Sequence, residues 1–170
     1  MKTLIIIRHG KSSQDHPELK DYHRPLKQRG VNNAFSVATE LLNRNIQPDL
    51  FLSSPAVRAL DTAIIVATNM AFPLDRIATE PSIYDAEVSE LFKALSVIPD
   101  ENETVLFFGH NPGFTGLVNQ LQEEQLFNLP TCGVMGIELP IDSWSEIKSA
   151  SGKQLFKLIT LNKVEPPIIS

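Results

Sequence analysis

Two histidines and two arginines stand where the chain turns. His9 and His110 each follow an apolar run and adjoin a glycine, Arg8 precedes the first histidine, and Arg58 follows the helix-start signal Ser54-Pro55. The carboxyl ends of strands form the ligand crevice of open α/β sheets, so we expect both histidines at one edge. Imidazole is a possible nucleophile, and guanidinium groups match a tetrahedral dianion. The pattern predicts phosphoryl transfer.

The same residues could also have ordinary structural roles without a functional site. A histidine after a strand is often only a turn residue, and an arginine in the first turn of a helix is often solvated. The convergence of four such residues at strand ends and a helix start favours a site. Arg58 gains further weight because free backbone N–H groups and the helix dipole also favour an anion there.

Net charge argues against a polyanionic partner. The chain has 170 residues, with 15 Lys and Arg against 20 Asp and Glu, for a net charge of -5. No general attraction to nucleic acid or an anionic membrane follows. An anion site must therefore depend on a local cluster of arginines.

The elements that would position these residues alternate along the chain. Apolar, β-branched runs predict strands, and helical spacing of apolar residues predicts helices. The predicted strands are Thr3–Ile7, Asp49–Ser53, Arg76–Glu80, Thr104–Phe108, Gly133–Leu139 and Gln154–Leu161. The predicted helices are Lys27–Asn43, one capped by Ser54 with Pro55 in its first turn, one through Leu91–Leu95 that ends before Pro99, and one through Phe114–Leu121.

This alternation predicts an α/β domain with helices layered on a mainly parallel sheet and an antiparallel pair at one edge. We expect one domain over residues 1–163 and a loose tail over 164–170. The apolar run that ends at Ile7 is too short for a signal peptide, and no stretch approaches a membrane span. With Cys132 as the one cysteine, these features favour a cytoplasmic protein.

Three motifs resemble a known family. Arg8-His9-Gly10, Ser53-Ser54-Pro55-Ala56-Val57-Arg58-Ala59 and Gly109-His110-Asn111-Pro112 are similar to the three signatures of the histidine phosphatase superfamily, in their expected order. The resemblance implies a phosphoglycerate mutase-like fold, a three-layer α/β/α sandwich. The chain further resembles the small SixA-type phosphohistidine phosphatase branch of this superfamily. The resemblance lies in its short length, in the segment from Asp21 to Leu26 and in Ile83-Tyr84-Asp85-Ala86.

The resemblance implies roles for the clustered residues. His9 would be the nucleophile and would become a phosphohistidine, while its other ring nitrogen donates to a nearby backbone carbonyl. Arg8, Arg58 and His110 would surround the transferring group, and Arg24 would be a further phosphate ligand. Positive side chains would then do the work that a metal does in many phosphoryl transferases. We expect no metal and no cofactor.

The proton donor is less defined. By its position Asp85 best matches the acid of larger family members, and Glu87, Asp21 and Asp15 are competitors. A phosphoramidate leaving group also needs less help from an acid, because its nitrogen can be protonated beforehand. The proton donor is therefore Asp85 or one of these three other carboxylates, or the reaction uses no acid from the protein.

The expected substrate is a phosphohistidine on a signalling protein of the histidine-containing phosphotransfer type, because a short chain without a long insertion leaves the pocket open. Three alternatives remain: a small-molecule phosphomonoesterase of the same superfamily, a weakly active phosphoprotein-binding module, and a metal-dependent hydrolase. Nucleic acid and membrane are not expected partners.

Overall fold

A computed structural model describes residues 1–159 of the chain. Its strands are β1 (Lys2–Arg8), β2 (Leu50–Ser53), β3 (Ile77–Thr79), β4 (Thr104–Gly109), β5 (Val134–Leu139) and β6 (Lys153–Leu158). Its α-helices are α1 (Gln28–Asn43), α2 (Val57–Asn69), α3 (Val88–Ser96) and α4 (Gly113–Leu121). None of the helices in residues 1–159 has the length and apolar character required to cross a membrane.

The strands form one sheet in the order β3-β2-β4-β1-β5-β6. The first four are parallel, while β5 runs antiparallel to β1 and β6 antiparallel to β5. The predicted α/β class with antiparallel strands at one edge is confirmed. Because β1 and β4 are neighbours and Arg8 pairs with Gly109, the residues that follow the two strands meet at one edge.

The central strand β1 is covered on both faces, as its continuous apolar run predicts. Leu4 and Ile6 pack in one cluster with apolar residues of α3 and α4, and Ile5 and Ile7 pack in another with those of α1 and α2. All four side chains are fully buried. Burying each contributes roughly 1.5–3 kcal/mol, so the strand that carries Arg8 is a rigid anchor for the site.

The predicted start of α2 was wrong in detail. The helix begins at Val57 with Ala56 at its N-cap, and no side chain caps it. The Ser54 hydroxyl instead accepts from the backbone N–H of Ala56 at 3.2 Å and contacts His110. A hydroxyl engaged in that tight turn does not reach the free N–H groups of the helix. Arg58 nevertheless lies in the first turn, as expected.

The other predicted elements are found within a few residues of their expected bounds. The end of the last predicted strand and the predicted loose tail at 164–170 lie outside the described residues. The single-domain boundary at residue 163 therefore stays a prediction.

A close contact between glycines holds the loop after β1 against α1. A Cβ on Gly30 would lie 2.4 Å from the carbonyl oxygen of Lys11, and a Cβ on Gly10 would lie 2.9 Å from the carbonyl oxygen of Gly30. Real Cβ atoms do not come this close to backbone oxygen, so both positions require glycine. The third residue of α1 thereby fixes the backbone next to His9.

Candidate active site

The ends of β1 and β4 place two buried histidines side by side. The ring centroids of His9 and His110 are 5.2 Å apart, and both residues are more than nine-tenths buried. The backbone N–H of His9 donates to the carbonyl of Gly109 at 3.0 Å. On its other side, the N–H of Cys132 donates to the carbonyls of Arg8 and His9. The expected meeting of the histidines at one sheet edge is thus observed.

The contacts of the His9 ring define its tautomer. Its Nδ1 lies 2.7 Å from the Gly10 carbonyl oxygen, which only accepts, so Nδ1 carries the proton. Its Nε2 lies 3.4 Å from Nε of Arg58, and a guanidinium only donates, so Nε2 presents a lone pair. The hydrogen bond from Nδ1 to a nearby backbone carbonyl is the one that the resemblance implies.

The surroundings of His9 also keep it neutral. Burial, the largest cause, and the positive charges of Arg58, Arg8 and Arg24 lower its pKa to about 4, although the hydrogen bond to Gly10 acts in the opposite direction. At neutral pH the ring therefore carries no positive charge. An uncharged imidazole with a free Nε2 is the form that can act as a nucleophile.

A threonine connects the His9 loop to the helix that carries Arg58. The Thr62 hydroxyl accepts from the backbone N–H of Gly10 at 3.0 Å and donates to the carbonyl of Arg58 at 2.7 Å. Residues four apart lie on one face of a helix, so Thr62 and Arg58 approach His9 from the same direction. This spacing is the signal by which the sequence could have identified Thr62.

His110 has one engaged nitrogen and one free nitrogen. Its Nε2 lies 2.8 Å from the Ser54 hydroxyl oxygen, while its buried Nδ1 has no hydrogen-bond partner among the described residues. Burial and the positive charge of Arg58 lower its pKa to about 3. When Ser54 donates to Nε2, the proton of the neutral ring is on Nδ1, where it can be donated to a ligand. The helix-start pattern did not predict this contact of Ser54.

Two arginines, the buried Arg58 and the partly buried Arg8, supply positive charge. Arg58 is 6% exposed. Arg8 donates from Nη1 to the carbonyl of Leu129 at 3.0 Å, and its buried Nε has no partner among residues 1–159. Burial and the nearby Arg58 lower the pKa of Arg8, but a guanidinium stays charged in proteins. Two such charges beside neutral histidines favour an anionic ligand.

A carboxylate, Asp21, lies on the outer side of Arg58. Arg58 donates from Nη1 to the Asp21 backbone carbonyl at 2.7 Å and from Nη2 to its Oδ2 at 3.0 Å. Arg24 donates from Nε to Oδ1 at 3.0 Å, and its Nη2 forms an ion-pair contact with the same oxygen at 2.9 Å. The Tyr84 hydroxyl donates to Oδ2 at 2.6 Å. Arg24 therefore joins the cluster through Asp21.

These donors also bear on the choice of acid. The hydrogen bond from Tyr84 and the contacts from Arg58 and Arg24 lower the pKa of Asp21 to about 2. Asp21 is ionised at neutral pH and has no proton to donate. Its contacts with Arg58 and Tyr84 could not be read from the sequence, since they join segments 37 and 63 residues apart along the chain.

The other candidate acids do not contact the histidines. Asp85 is exposed, has a positive φ of 53° and forms no hydrogen bond with the described residues. It follows Tyr84, whose ring packs edge-on against His110 with centroids 5.4 Å apart. Glu87 is the N-cap of α3, and its backbone N–H donates to Glu90 at 2.8 Å. The structure brings Arg8, His9, Arg58 and His110 together and leaves Asp85 at the rim.

The described residues contain no group of three or more His, Cys, Asp or Glu placed to hold a metal ion. The positive charge of the candidate site comes from its arginines. The lone Cys132 is buried and uncharged, because burial raises the pKa of its thiol to about 12.

Comparisons with known proteins agree with this geometry. The model of the histidine phosphatase superfamily (branch 1) matches residues 4–85, which include Arg8, His9 and Arg58. An uncharacterized chloroplastic protein of Arabidopsis thaliana is 28% identical over 165 residues, and the match covers 92% of this chain and 75% of that protein.

Two solved structures share the fold over nearly the whole chain. The protein histidine phosphatase SixA complexed with tungstate superimposes with a TM-score of 0.77 at 23% identity, covering 91% of this chain and 95% of that one. The SixA protein of Agrobacterium tumefaciens superimposes with a TM-score of 0.79 at 21% identity, covering 92% and 97%.

Proposed function

We infer that this chain, of which residues 4–85 match the model of the histidine phosphatase superfamily, removes phosphoryl groups through a covalent intermediate on His9. The observation that carries the inference is the state of the His9 ring, with Nδ1 held by the Gly10 carbonyl and Nε2 unprotonated beside Arg58. A fixed, neutral imidazole next to guanidinium groups can attack phosphorus in line while the arginines hold its oxygens.

In the first step, the Nε2 lone pair of His9 forms a bond to phosphorus as the bond from phosphorus to the leaving group breaks. The leaving group departs with that electron pair and takes up a proton. In the second step, water attacks phosphorus, the bond to Nε2 breaks, and inorganic phosphate leaves the neutral imidazole behind. Both steps pass through a transition state whose equatorial oxygens need positive donors.

The arginines and His110 supply these donors. Nε of Arg8 and Nδ1 of His110 are buried without partners among the described residues, and Arg58 directs its Nε towards His9. Oriented donors of this kind account for a large share of rate enhancement in many enzymes. Since three guanidinium groups are near the reacting centre, we propose that turnover needs no metal ion.

The absence of a carboxylic acid from the described contacts of His9 and His110 favours a particular substrate. Asp21 is ionised and Asp85 is exposed at the rim. An alkyl alkoxide is a poor leaving group without an acid, whereas the nitrogen of a phosphoramidate can be protonated before the bond breaks. We therefore propose phosphohistidine on a protein as the substrate, and the fold shared with the protein histidine phosphatase SixA supports it.

Hydrolysis of para-nitrophenyl phosphate in EDTA tests the activity, with wild type compared with His9→Ala. We expect turnover by wild type in the chelator and none above background in the variant. Full activity of His9→Ala would overturn the nucleophile assignment, and loss of wild-type activity in EDTA would support a metal-dependent hydrolase.

Competition between substrates tests the proposed preference. A phosphorylated histidine-containing phosphotransfer protein and a series of alkyl phosphates would be offered to the same enzyme. We expect the highest kcat/KM for the phosphoprotein. A clear preference for the alkyl esters would favour the small-molecule phosphomonoesterase, and stoichiometric binding of the phosphoprotein without turnover would favour the binding module.

A further inference from the structure

The Asp21 carboxylate contacts two arginines of the proposed phosphoryl site and the hydroxyl of Tyr84. Its Oδ1 accepts a hydrogen bond from Nε of Arg24 and forms an ion-pair contact with Nη2 of the same residue, and its Oδ2 accepts one hydrogen bond from Arg58 and one from Tyr84. Its side chain is 53% exposed, and that of Arg58 is 7% exposed. The carboxylate of Asp21, which is partly exposed to solvent, thus contacts both Arg24 and the buried Arg58.

The contacts on Arg24 conflict with its expected role. A guanidinium grips an oxyanion best with two parallel N–H groups, and Nε and Nη2 form one such pair. In Arg24 both of these nitrogens lie within 3.0 Å of Oδ1 of Asp21, Nε as a hydrogen-bond donor and Nη2 in an ion-pair contact. A phosphoryl group that uses the same pair must take the place of the carboxylate there.

We propose that Asp21 is an internal competitor that occupies the arginine cluster in the empty site and yields Arg24 to the phosphoryl group of the substrate. The inference rests on the proposed function, because it takes the phosphoryl group to bind at Arg24 and Arg58. In this role Asp21 sets the affinity of the site for oxyanions, and it limits retention of the product phosphate.

The charge balance gives this role a direction. Arg8, Arg24 and Arg58 contribute three positive charges, and Asp21 removes one. Replacing the carboxylate by an amide of the same shape raises the net charge of the cluster from +2 to +3. A more positive cluster attracts phosphate more strongly, although screening at the exposed rim reduces the gain.

One contact between Arg58 and Asp21 uses the main chain and persists when the Asp21 side chain is replaced. Arg58 donates from Nη1 to the main-chain carbonyl of Asp21 at 2.7 Å, and a side-chain substitution does not remove this contact. Arg58 also keeps its place near His9 through the fold of α2. Loss of the carboxylate therefore changes the charge beside the arginines and the acceptor for Arg24, for Nη2 of Arg58 and for the Tyr84 hydroxyl.

The experiment measures the Kd of inorganic phosphate by calorimetry for wild type, Asp21→Asn and the second charge-removing variant Asp21→Ser. Glu18→Gln is the matched control, because it removes a negative charge from the same segment at an exposed residue whose described partner is His16. Thermal unfolding confirms that each variant is folded. We expect Kd to fall about three-fold or more in both Asp21 variants and to change little in the control.

The outcomes separate this inference from the proposed function. If wild type binds phosphate and hydrolyses para-nitrophenyl phosphate but the Asp21 variants bind equally or more weakly, Asp21 only positions the arginines and the competitor role is overturned. An equal gain in Glu18→Gln would also overturn it, since net charge alone would explain the gain. If wild type neither binds phosphate nor turns over, it is the proposed function that fails.

Discussion

The Nε atom of Arg58 lies 3.4 Å from the Nε2 atom of His9. One residue follows the first strand and the other lies in the first turn of α2, so the contact joins two elements 49 residues apart. A permanent donor faces the nitrogen that must stay unprotonated. A phosphoryl group that binds at Nε2 of His9 must replace this contact, and it then meets the lone pair of His9 and the positive charge of Arg58.

The depressed pKa of His9 predicts the pH dependence of kcat/KM, which reports the free enzyme. Attack requires the neutral ring, so activity is lost as the pH falls through the pKa of His9. That pKa is about 4, and we expect the acid limb there instead of near the ordinary value of about 6.5.

The measurement uses para-nitrophenyl phosphate between pH 4 and 8. The rates are corrected for the second ionisation of the ester, whose pKa is about 6. An acid limb near 6.5 that persists after this correction would show that His9 is not held neutral by its surroundings.

The same shift affects stability. Between about pH 6.5 and 4 the unfolded chain binds a proton at residue 9 that the folded chain excludes, so the free energy of unfolding falls as the pH falls through this range. We expect His9→Asn to reduce the slope of the free energy of unfolding against pH by the equivalent of up to one proton, or about 1.4 kcal/mol per pH unit. Urea unfolding at pH 7 and pH 5 measures this slope. An equal change in the free energy of unfolding between the two pH values in wild type and in His9→Asn would contradict the prediction.

Removal of the Arg58 guanidinium tests the electrostatic part of the mechanism. Arg58→Ala deletes a buried donor next to the reacting nitrogen, and we expect kcat to fall by about 10²–10³-fold, as for loss of one oxyanion donor. Steady-state kinetics with para-nitrophenyl phosphate measures the change. Arg29→Ala removes an equal charge from an exposed position on α1 and serves as the control. Similar losses in both variants would indicate a general effect of charge.

The contact between Gly30 and the loop after His9 predicts a steric effect. In Gly30→Ala the new methyl would lie 2.4 Å from the carbonyl oxygen of Lys11, and the loop must move. We expect the free energy of unfolding to fall by about 1–3 kcal/mol, together with a loss of kcat. Urea unfolding and kinetics measure both.

The control for this variant is Gly116→Ala on α4, whose new methyl meets a side-chain atom of Val88 at 2.7 Å. It tests a helical glycine away from His9. Unchanged kcat in Gly30→Ala would show that the loop tolerates displacement.

The sequence was sufficient to predict the sheet, its helices and the meeting of the two histidines, because these depend on apolar periodicity and on the geometry of strand ends. Ser54 shows the limit of that approach. A Ser-Pro pair is a good helix-start signal by itself, yet the hydroxyl contacts His110, which is 56 residues away. Local pattern carries no information about such a contact.

Asp21 shows the same limit for the site. Three residues donate hydrogen bonds to its carboxylate, Arg24, Arg58 and Tyr84, and two of these residues are brought to it only by the packing of α2 and of the segment after β3. A surface carboxylate near a phosphate site has no sequence pattern that separates an acid from an ion-pair partner. The low pKa of Asp21 follows from contacts that only the fold creates.

The central claim is that the phosphoryl group passes through Nε2 of His9. The most direct test is rapid quenching of wild type with ³²P-labelled substrate, followed by alkaline digestion conditions that preserve phosphohistidine and by peptide mapping. We predict label on the peptide that contains His9, appearing and decaying at rates compatible with kcat, and none in His9→Ala. Turnover by wild type with no label on His9 at any quench time would contradict the account.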